Sequence, residues 1–176
     1  EGGAAFCTRE DTLTEVVRRA REVTRRPLVV KLAPNVPDIG LMAEVAVDAG
    51  ADALTLINTF PGMLFDLETR RPVLGAGTGG VSGGGILPMG VYAVWQARRR
   101  VDVPIFGVGG IRRAEDAVQY LLAGADLVQI GTASFADPRA AEGVISGLER
   151  YGRKTGITHI RELIGAAART APGSHR

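Results

Sequence analysis

Residues 103–132 read VPIFGVGGIRRAEDAVQYLLAGADLVQIGT, and they hold the fold in miniature. An apolar run over 103–108 ends on Gly109-Gly110. A helix over 114–123 follows, and a second apolar run over 126–130 ends on Gly131-Thr132. Short continuous apolar strands separated by a helix imply a parallel pair buried on both faces.

The same unit recurs on the N-terminal side. Thr8-Arg9-Glu10-Asp11 resembles a capping box ahead of Leu13, Val16, Val17, Ala20 and Val23 at helical spacing. A β-rich run over 27–32 stops at Pro34-Asn35. Asp38 then caps a helix with Met42, Val45, Ala46 and Ala49 on one face and Gly50 past its end. Residues 53–57 make the next strand. Ala49-Gly50-Ala51-Asp52 echoes Ala123-Gly124-Ala125-Asp126, each closing a helix and launching a strand. Farther on, Pro88 starts a helix with Val91, Val94, Trp95 and Arg98, and Pro138 opens one with Ala141, Val144, Ile145 and Leu148. A last helix over 158–168 shows the stripe Ile160, Leu163, Ile164, Ala167. This order suits a doubly wound sheet or a (β/α)8 barrel. The groups at the strand ends must decide between them.

Composition narrows the classes. With 45% hydrophobic and 23% charged residues the chain is globular, not disordered. One cysteine excludes an internal disulfide framework and fits a cytoplasmic setting. No apolar run nears the roughly 18 residues of a membrane span, and Glu1-Gly2-Gly3-Ala4-Ala5-Phe6 reads as a chain entered in mid-loop rather than a signal peptide. The net charge is only +2, and Arg25-Arg26 and Arg98-Arg99-Arg100 read as solvated helix ends. Without interleaved aromatics they do not predict a nucleic-acid surface. Glycine is the outlier: its 24 residues, about twice the usual share, cluster where a backbone would approach a ligand.

Four places carry chemistry. Lys31 lies inside an apolar strand, in phase with Val29, so burial would demand an anionic partner; a lysine reaching to the strand end, or paired with a carboxylate, is the plainer alternative. Gly107-Val108-Gly109-Gly110 and Gly131-Thr132 follow consecutive strands, the position where barrels build phosphate sites. Asn58-Thr59 ends another strand and offers an amide beside a hydroxyl, which suits a small planar imide-like ligand or, equally, a turn. The insert at about 60–87 predicts a hairpin from 63–67 and 72–74, then a glycine-rich stretch suited to passing over a flat cofactor. Cys7, before the first helix, lacks a supporting histidine or acid. His159 and His175 lack metal-ligand spacing, so no metal is expected.

In order along the chain, Val30-Lys31-Leu32-Ala33-Pro34-Asn35, Leu56-Ile57-Asn58-Thr59, Gly62-Met63, Asp66-Leu67-Glu68-Thr69-Arg70-Arg71-Pro72, Thr78-Gly79-Gly80-Val81-Ser82-Gly83, Gly109-Gly110-Ile111 and Gly131-Thr132 resemble the class I dihydroorotate dehydrogenases. The likeness is to their NAD-linked branch and runs to about residue 150. It implies a TIM (β/α)8 barrel, of which 176 residues supply the C-terminal half as one partial FMN-binding domain over 1–176. It implies FMN contacts at Lys31, Ile57, Gly83, Gly109, Gly110, Gly131 and Thr132, and contacts to dihydroorotate or orotate at Asn58 and Thr59. The reaction implied is oxidation of dihydroorotate to orotate in pyrimidine biosynthesis. The implied partners are an FAD- and iron–sulfur-bearing electron-transfer subunit and further copies, as a homodimer or heterotetramer.

The family's catalytic cysteine sits in an Asn-x-Ser-Cys-Pro-Asn segment, expected upstream of Glu1. Cys7 is not its counterpart. Gly84-Gly85 stands where relatives often carry proline and a small residue. Two alternatives stay open: a dihydropyrimidine dehydrogenase-type flavin barrel, and an inactive unit of folding or assembly.

Overall fold

A computed structural model describes residues 6–169. Four parallel strands form the sheet: β1 (Val29–Lys31), β2 (Ala53–Leu56), β7 (Ile105–Val108) and β8 (Leu127–Gln129), in the order β1-β2-β7-β8. Helices α1 (Glu10–Val23), α2 (Ile39–Asp48), α3 (Leu87–Arg98), α4 (Ala114–Ala123) and α6 (Ala140–Thr155) lie against one another around one face of it. The predicted βαβ units are all present, and α4 spans the expected residues. Among the described residues the sheet does not close on itself.

Registers Lys31↔Thr55, Thr55↔Phe106 and Phe106↔Leu127 set one row of side chains across all four strands. The alternate phase, with Leu32, Leu54, Leu56 and Ile105 fully buried, packs on Val94, Ala97, Ala117 and Tyr120 of the helices. Alanines on α2, α3 and α4 let those helices sit close to the strands. The opposite face is open at its edges: Val29 is 41% and Leu127 56% exposed.

The internal echo has a structural counterpart. Asp126 accepts the Ile105 N–H (2.8 Å) and pairs with Arg98 (2.5 Å), whose guanidinium also donates to the Gly124 and Val101 carbonyls. Asp52 accepts the Leu28 N–H (2.6 Å) and pairs with Arg21 (2.6 Å), which donates to Gly50. Each arginine ties the end of one helix to the turn after the next, and each aspartate ties that turn to the start of the neighbouring strand. Arg98 is therefore no solvated helix end. Its side chain is only 19% exposed because it is threaded into this turn.

Other expectations shift in detail. The cap of α1 is Arg9, without a side-chain bond, rather than a Thr8 capping box. The segment from Pro138 is preceded by a single turn, α5 (Ala133–Ala136). The helix expected over 158–168 is instead a 3-10 turn, Ile160–Glu162, followed by α7 (Ala166–Arg169). Leu163 between them packs on Val118 and Leu121 of α4. Positive φ at Gly165 breaks the helical path.

The insert holds two antiparallel ribbons. Hairpin β4 (Phe65–Asp66) with β5 (Arg71–Pro72) is the predicted one, turned by Asp66 accepting the Thr69 N–H and hydroxyl. The other, β3 (Phe60–Gly62) with β6 (Gly79–Val81), was not foreseen. Its glycines answer to packing in and beside the ribbon. A β-carbon at Gly62 would come 2.3 Å from Val81, at Gly79 2.5 Å from Leu74, and at Gly80 2.1 Å from Thr59. Residues Gly79–Val81 of the glycine-rich stretch are thus a pleated strand, and only Ser82 and Gly83 beyond it reach the cavity at the strand ends.

Arg98→Ala is expected to cost about 1–2 kcal/mol in urea unfolding, because it leaves the half-buried Asp126 carboxylate without its cation. Arg21→Ala should cost less, its pair being more exposed. The Leu28 N–H, and after it Arg21, hold the Asp52 carboxyl below its usual value. Its contribution therefore stands above the ordinary carboxylate range and is lost as acid protonates it. Equal losses for the two arginine variants would contradict the difference in burial.

Candidate phosphate-binding cavity at the strand ends

Where the strands end, their loops enclose a cavity of about 320 Å³, at the small end of the range for ligand pockets. Lys31, Ile57, Gly83, Gly109, Gly110, Gly131 and Thr132 all line it, and so does Thr59. Seven residues singled out from five separate stretches of chain therefore meet at one place with Thr59. Asn58 does not line it. Its side-chain oxygen accepts the Thr59 N–H (2.9 Å), the turn-forming use that the sequence left open.

The glycine corner is built from β7 and β8, paired through Val108↔Gln129 just before the turns. Gly109 and Gly110 have φ of 131° and 76°, and a β-carbon at Gly110 would lie 2.7 Å from the Leu87 nitrogen, so glycine is required at both. Gly131 differs. A β-carbon there would meet nothing within 4 Å, so it would project into open space. Thr132 Oγ1 lies 2.9 Å from Ser82 Oγ, which fastens the Gly83 loop to this corner. Because α5 is one turn long, this corner offers backbone N–H groups and side chains rather than a helix dipole.

Two buried groups missed in the sequence support the corner. Tyr120, fully buried on α4, donates its hydroxyl to the Gly109 carbonyl (2.8 Å). Burial pushes its phenol far above its usual value, so it stays a donor throughout the working range. Gly90 and Gly107 make room for Tyr120, since a β-carbon at Gly90 would lie 1.8 Å from its hydroxyl oxygen and one at Gly107 2.4 Å from its ring. Asp116, 4% exposed, accepts the N–H groups of Arg112 (3.0 Å) and Arg113 (3.3 Å) and closes the turn after Ile111. The signal for Tyr120 was slight: one phenol on an otherwise aliphatic helix stripe.

Lys31 needs correcting. It is exposed, not buried, because it stands on the open face of edge strand β1. The desolvation argument for an anionic partner therefore does not apply to the chain as it stands; its place in the cavity lining does the work instead. Gln129, in the same phase of β8, also lines the cavity and was overlooked, although a lone amide in an apolar strand was a cue. Cys7 is buried, with Sγ 3.5 Å from the Lys31 carbonyl, and burial pushes its thiol up rather than down. Among the described residues no cluster of three or more His, Cys, Asp or Glu is placed to hold a metal, and no helix is long and apolar enough to cross a membrane. Residues 1–5 and His175 lie outside the described residues.

Sites at the C-terminal ends of parallel strands occur in barrels and in doubly wound sheets alike. Kinship with known proteins decides between them, and this sheet with its helices is half of a (β/α)8 barrel. The dihydroorotate dehydrogenase family profile matches residues 1–151, and the chain belongs to that family. It is 51% identical over 166 residues to the catalytic subunit of dihydroorotate dehydrogenase B (NAD(+)) from Geotalea uraniireducens, covering 94% of this chain and 54% of that one. The protein of the same name from Desulforudis audaxviator is 50% identical over 169 residues, 96% of this chain and 55% of that one. A crystal structure of a dihydroorotate dehydrogenase from Eimeria tenella, in complex with ferulenol, superposes with a TM-score of 0.74 at 28% identity, over 92% of this chain and 49% of that one. The chain spans about half the length of the relatives it matches.

Two outcomes follow from this geometry. Tyr120→Phe should lower stability by about 1 kcal/mol by stranding the Gly109 carbonyl; an unchanged melt would show that the carbonyl finds another donor. Cys7 should resist alkylation at about pH 8 until the protein unfolds, whereas an activated thiol would react at once.

Proposed function

We propose that this chain forms the flavin-phosphate half of a dihydroorotate dehydrogenase, an FMN enzyme that oxidises dihydroorotate to orotate in pyrimidine biosynthesis. The observation that carries the reading is the convergence of Lys31 with the Gly109-Gly110 and Gly131-Thr132 turns on one cavity whose lining includes no acidic side chain. Strands β1 and β7 are separated by β2, so with neighbours about 4.8 Å apart the lysine and the glycine corner stand roughly 10 Å from each other. That arrangement suits an elongated ligand with a phosphate at one end and a charge-accepting ring at the other.

The residues fit FMN by their chemistry. Gly131 leaves free the space a β-carbon would fill, and the Gly109-Gly110 turn, held by Tyr120, presents backbone to that space. In the assignment carried over from the family, Gly83, Gly109, Gly110, Gly131 and Thr132 hold the phosphate side of FMN. Lys31 and Ile57 hold its ring, and Asn58 and Thr59 the substrate. FMN, when bound, supplies a hydride acceptor. Lys31 offers a fixed positive charge beside the ring, which favours negative charge developing there. Thr59 presents a hydroxyl at the cavity, and Asn58 keeps its amide N–H donors, since only its oxygen is engaged by Thr59. Cys7 is not the base, being buried and protonated away from the lining.

We further take residues 1–176 as one domain with the insert at 60–87 on its rim, and a cytoplasmic location. The relatives' name, catalytic subunit, supports a partner, for which an FAD- and iron–sulfur-bearing electron-transfer subunit and a homodimeric or heterotetrameric assembly are the reading.

The decisive experiment reconstitutes the full-length protein with FMN under anaerobic conditions. Dihydroorotate should bleach the visible flavin band, and dihydrouracil should not. Bleaching by dihydrouracil alone would move the assignment to a dihydropyrimidine dehydrogenase-type barrel, and bleaching by neither would sink it. Gly131→Ala should fold like the parent and lose flavin affinity, because its methyl group occupies the cavity.

A further inference from the structure

Resting on that reading, we propose that Arg112 is an additional phosphate-binding side chain, and that Gly84 is the residue that lets it occupy that place. The glycine turns and Thr132 explain how a backbone cradle forms. They do not explain the guanidinium that shares their cavity.

Arg112 lines the same cavity as Gly109, Gly110, Gly131 and Thr132. It follows the Gly109-Gly110 turn by two residues, and its backbone N–H is held by the buried Asp116 carboxylate, so the root of the side chain is fixed. Its head group lies flat against Gly84. A β-carbon at Gly84 would come within 2.7 Å of Arg112 Cζ, 2.9 Å of Nε and 3.0 Å of Nη1. Residue 84 begins the 3-10 turn Gly84–Ile86 beyond the cavity-lining Gly83, so the guanidinium bridges the insert and the β7 loop at the cavity wall.

Charge arguments point the same way. Two arginines precede α4, where the positive end of the helix dipole disfavours cations. Arg113 is answered by Glu115 and Asp116, each 3.7 Å away. The Arg112 guanidinium has no ion pair among the described residues. Its carboxylate neighbour Asp116 is engaged through backbone N–H groups and Arg113 instead. Of the cavity-lining residues only Lys31 and Arg112 carry charge, and both are positive. Lys31 stands two strands away from β7, on the ring side. Arg112 belongs to the glycine corner, and a phosphate dianion there would satisfy an otherwise unanswered fork of N–H donors.

The test compares FMN with riboflavin, which lacks the phosphate, by fluorescence titration of the full-length protein. Arg112→Ala should weaken FMN binding by about tenfold to a hundredfold and leave riboflavin binding within about twofold. Gly84→Ala keeps the charge but pushes the guanidinium off its seat, and should shift FMN binding in the same direction with riboflavin again unaffected. Because Arg112 is exposed, both variants should melt with the parent protein. Unchanged FMN affinity in Arg112→Ala overturns the proposal while leaving the flavin reading intact. So does an equal loss for FMN and riboflavin, which would mark Arg112 as a structural brace. A parent protein that bound neither flavin would overturn both.

Discussion

Side chains alternate along a strand, so a slip of one residue in a parallel pairing would turn Lys31, Val108 or Gln129 into the helix layer and replace them in the cavity with the neighbouring valine, leucine, isoleucine or glycine. What opposes that slip is the pair of Arg–Asp clamps at the other end of the sheet. The Asp126 carboxylate receives both the Ile105 N–H and the Arg98 guanidinium, and Asp52 does the same for Leu28 and Arg21. One oxygen in each case meets a strand start and a helix end at once. The buried rows of Leu54, Leu56 and Ile105 then fill the space between sheet and helices only in that register. Cavity-lining residues at the C-terminal edge thus depend on polar bonds made at the N-terminal edge.

This division explains what could be read from sequence. Helix and strand alternation, the Ala-Gly-Ala-Asp echo and the extent of α4 were legible because they come from local periodicity and capping. Lys31, the paired glycines and Thr59 were legible because each is anomalous in its own strand or turn, whereas Ile57 and Gly83 came only from the family resemblance. Lys31 was misjudged in burial for a reason of scale. Its strand reads as interior, but β1 is the outermost of the four strands in a chain that spans about half the length of its relatives, and nothing in the strand's own residues records which neighbours cover it.

Other groups that sequence reading overlooked bond to backbone. Tyr120 and Arg98 act on carbonyls well removed along the chain, those of Gly109 and Gly124, whereas Asp116 bonds the N–H groups of Arg112 and Arg113 just ahead of its own helix. A side chain that satisfies a distant carbonyl leaves no periodic trace of its partner. The glycines of the insert misled in the opposite sense. Gly79 and Gly80 looked like a loop passing over a ligand, yet they are small because Leu74 and Thr59, just outside the ribbon, press on them. A run of glycine reports close approach without saying what approaches.

That ambiguity is settled position by position once the space around each glycine is known. At Gly62, Gly79, Gly80, Gly90 and Gly107 the space is taken by the protein itself, and at Gly131 it is empty. At Gly84 it is taken by a charged head group at the mouth of the empty space. Of these glycines, only Gly131 leaves room that a ligand can claim. The cavity is therefore a corner where packing stops short, ringed by N–H groups and two cations. An anion is the species whose binding such a surface favours most, because it replaces the water that those unpaired donors would otherwise have to hold.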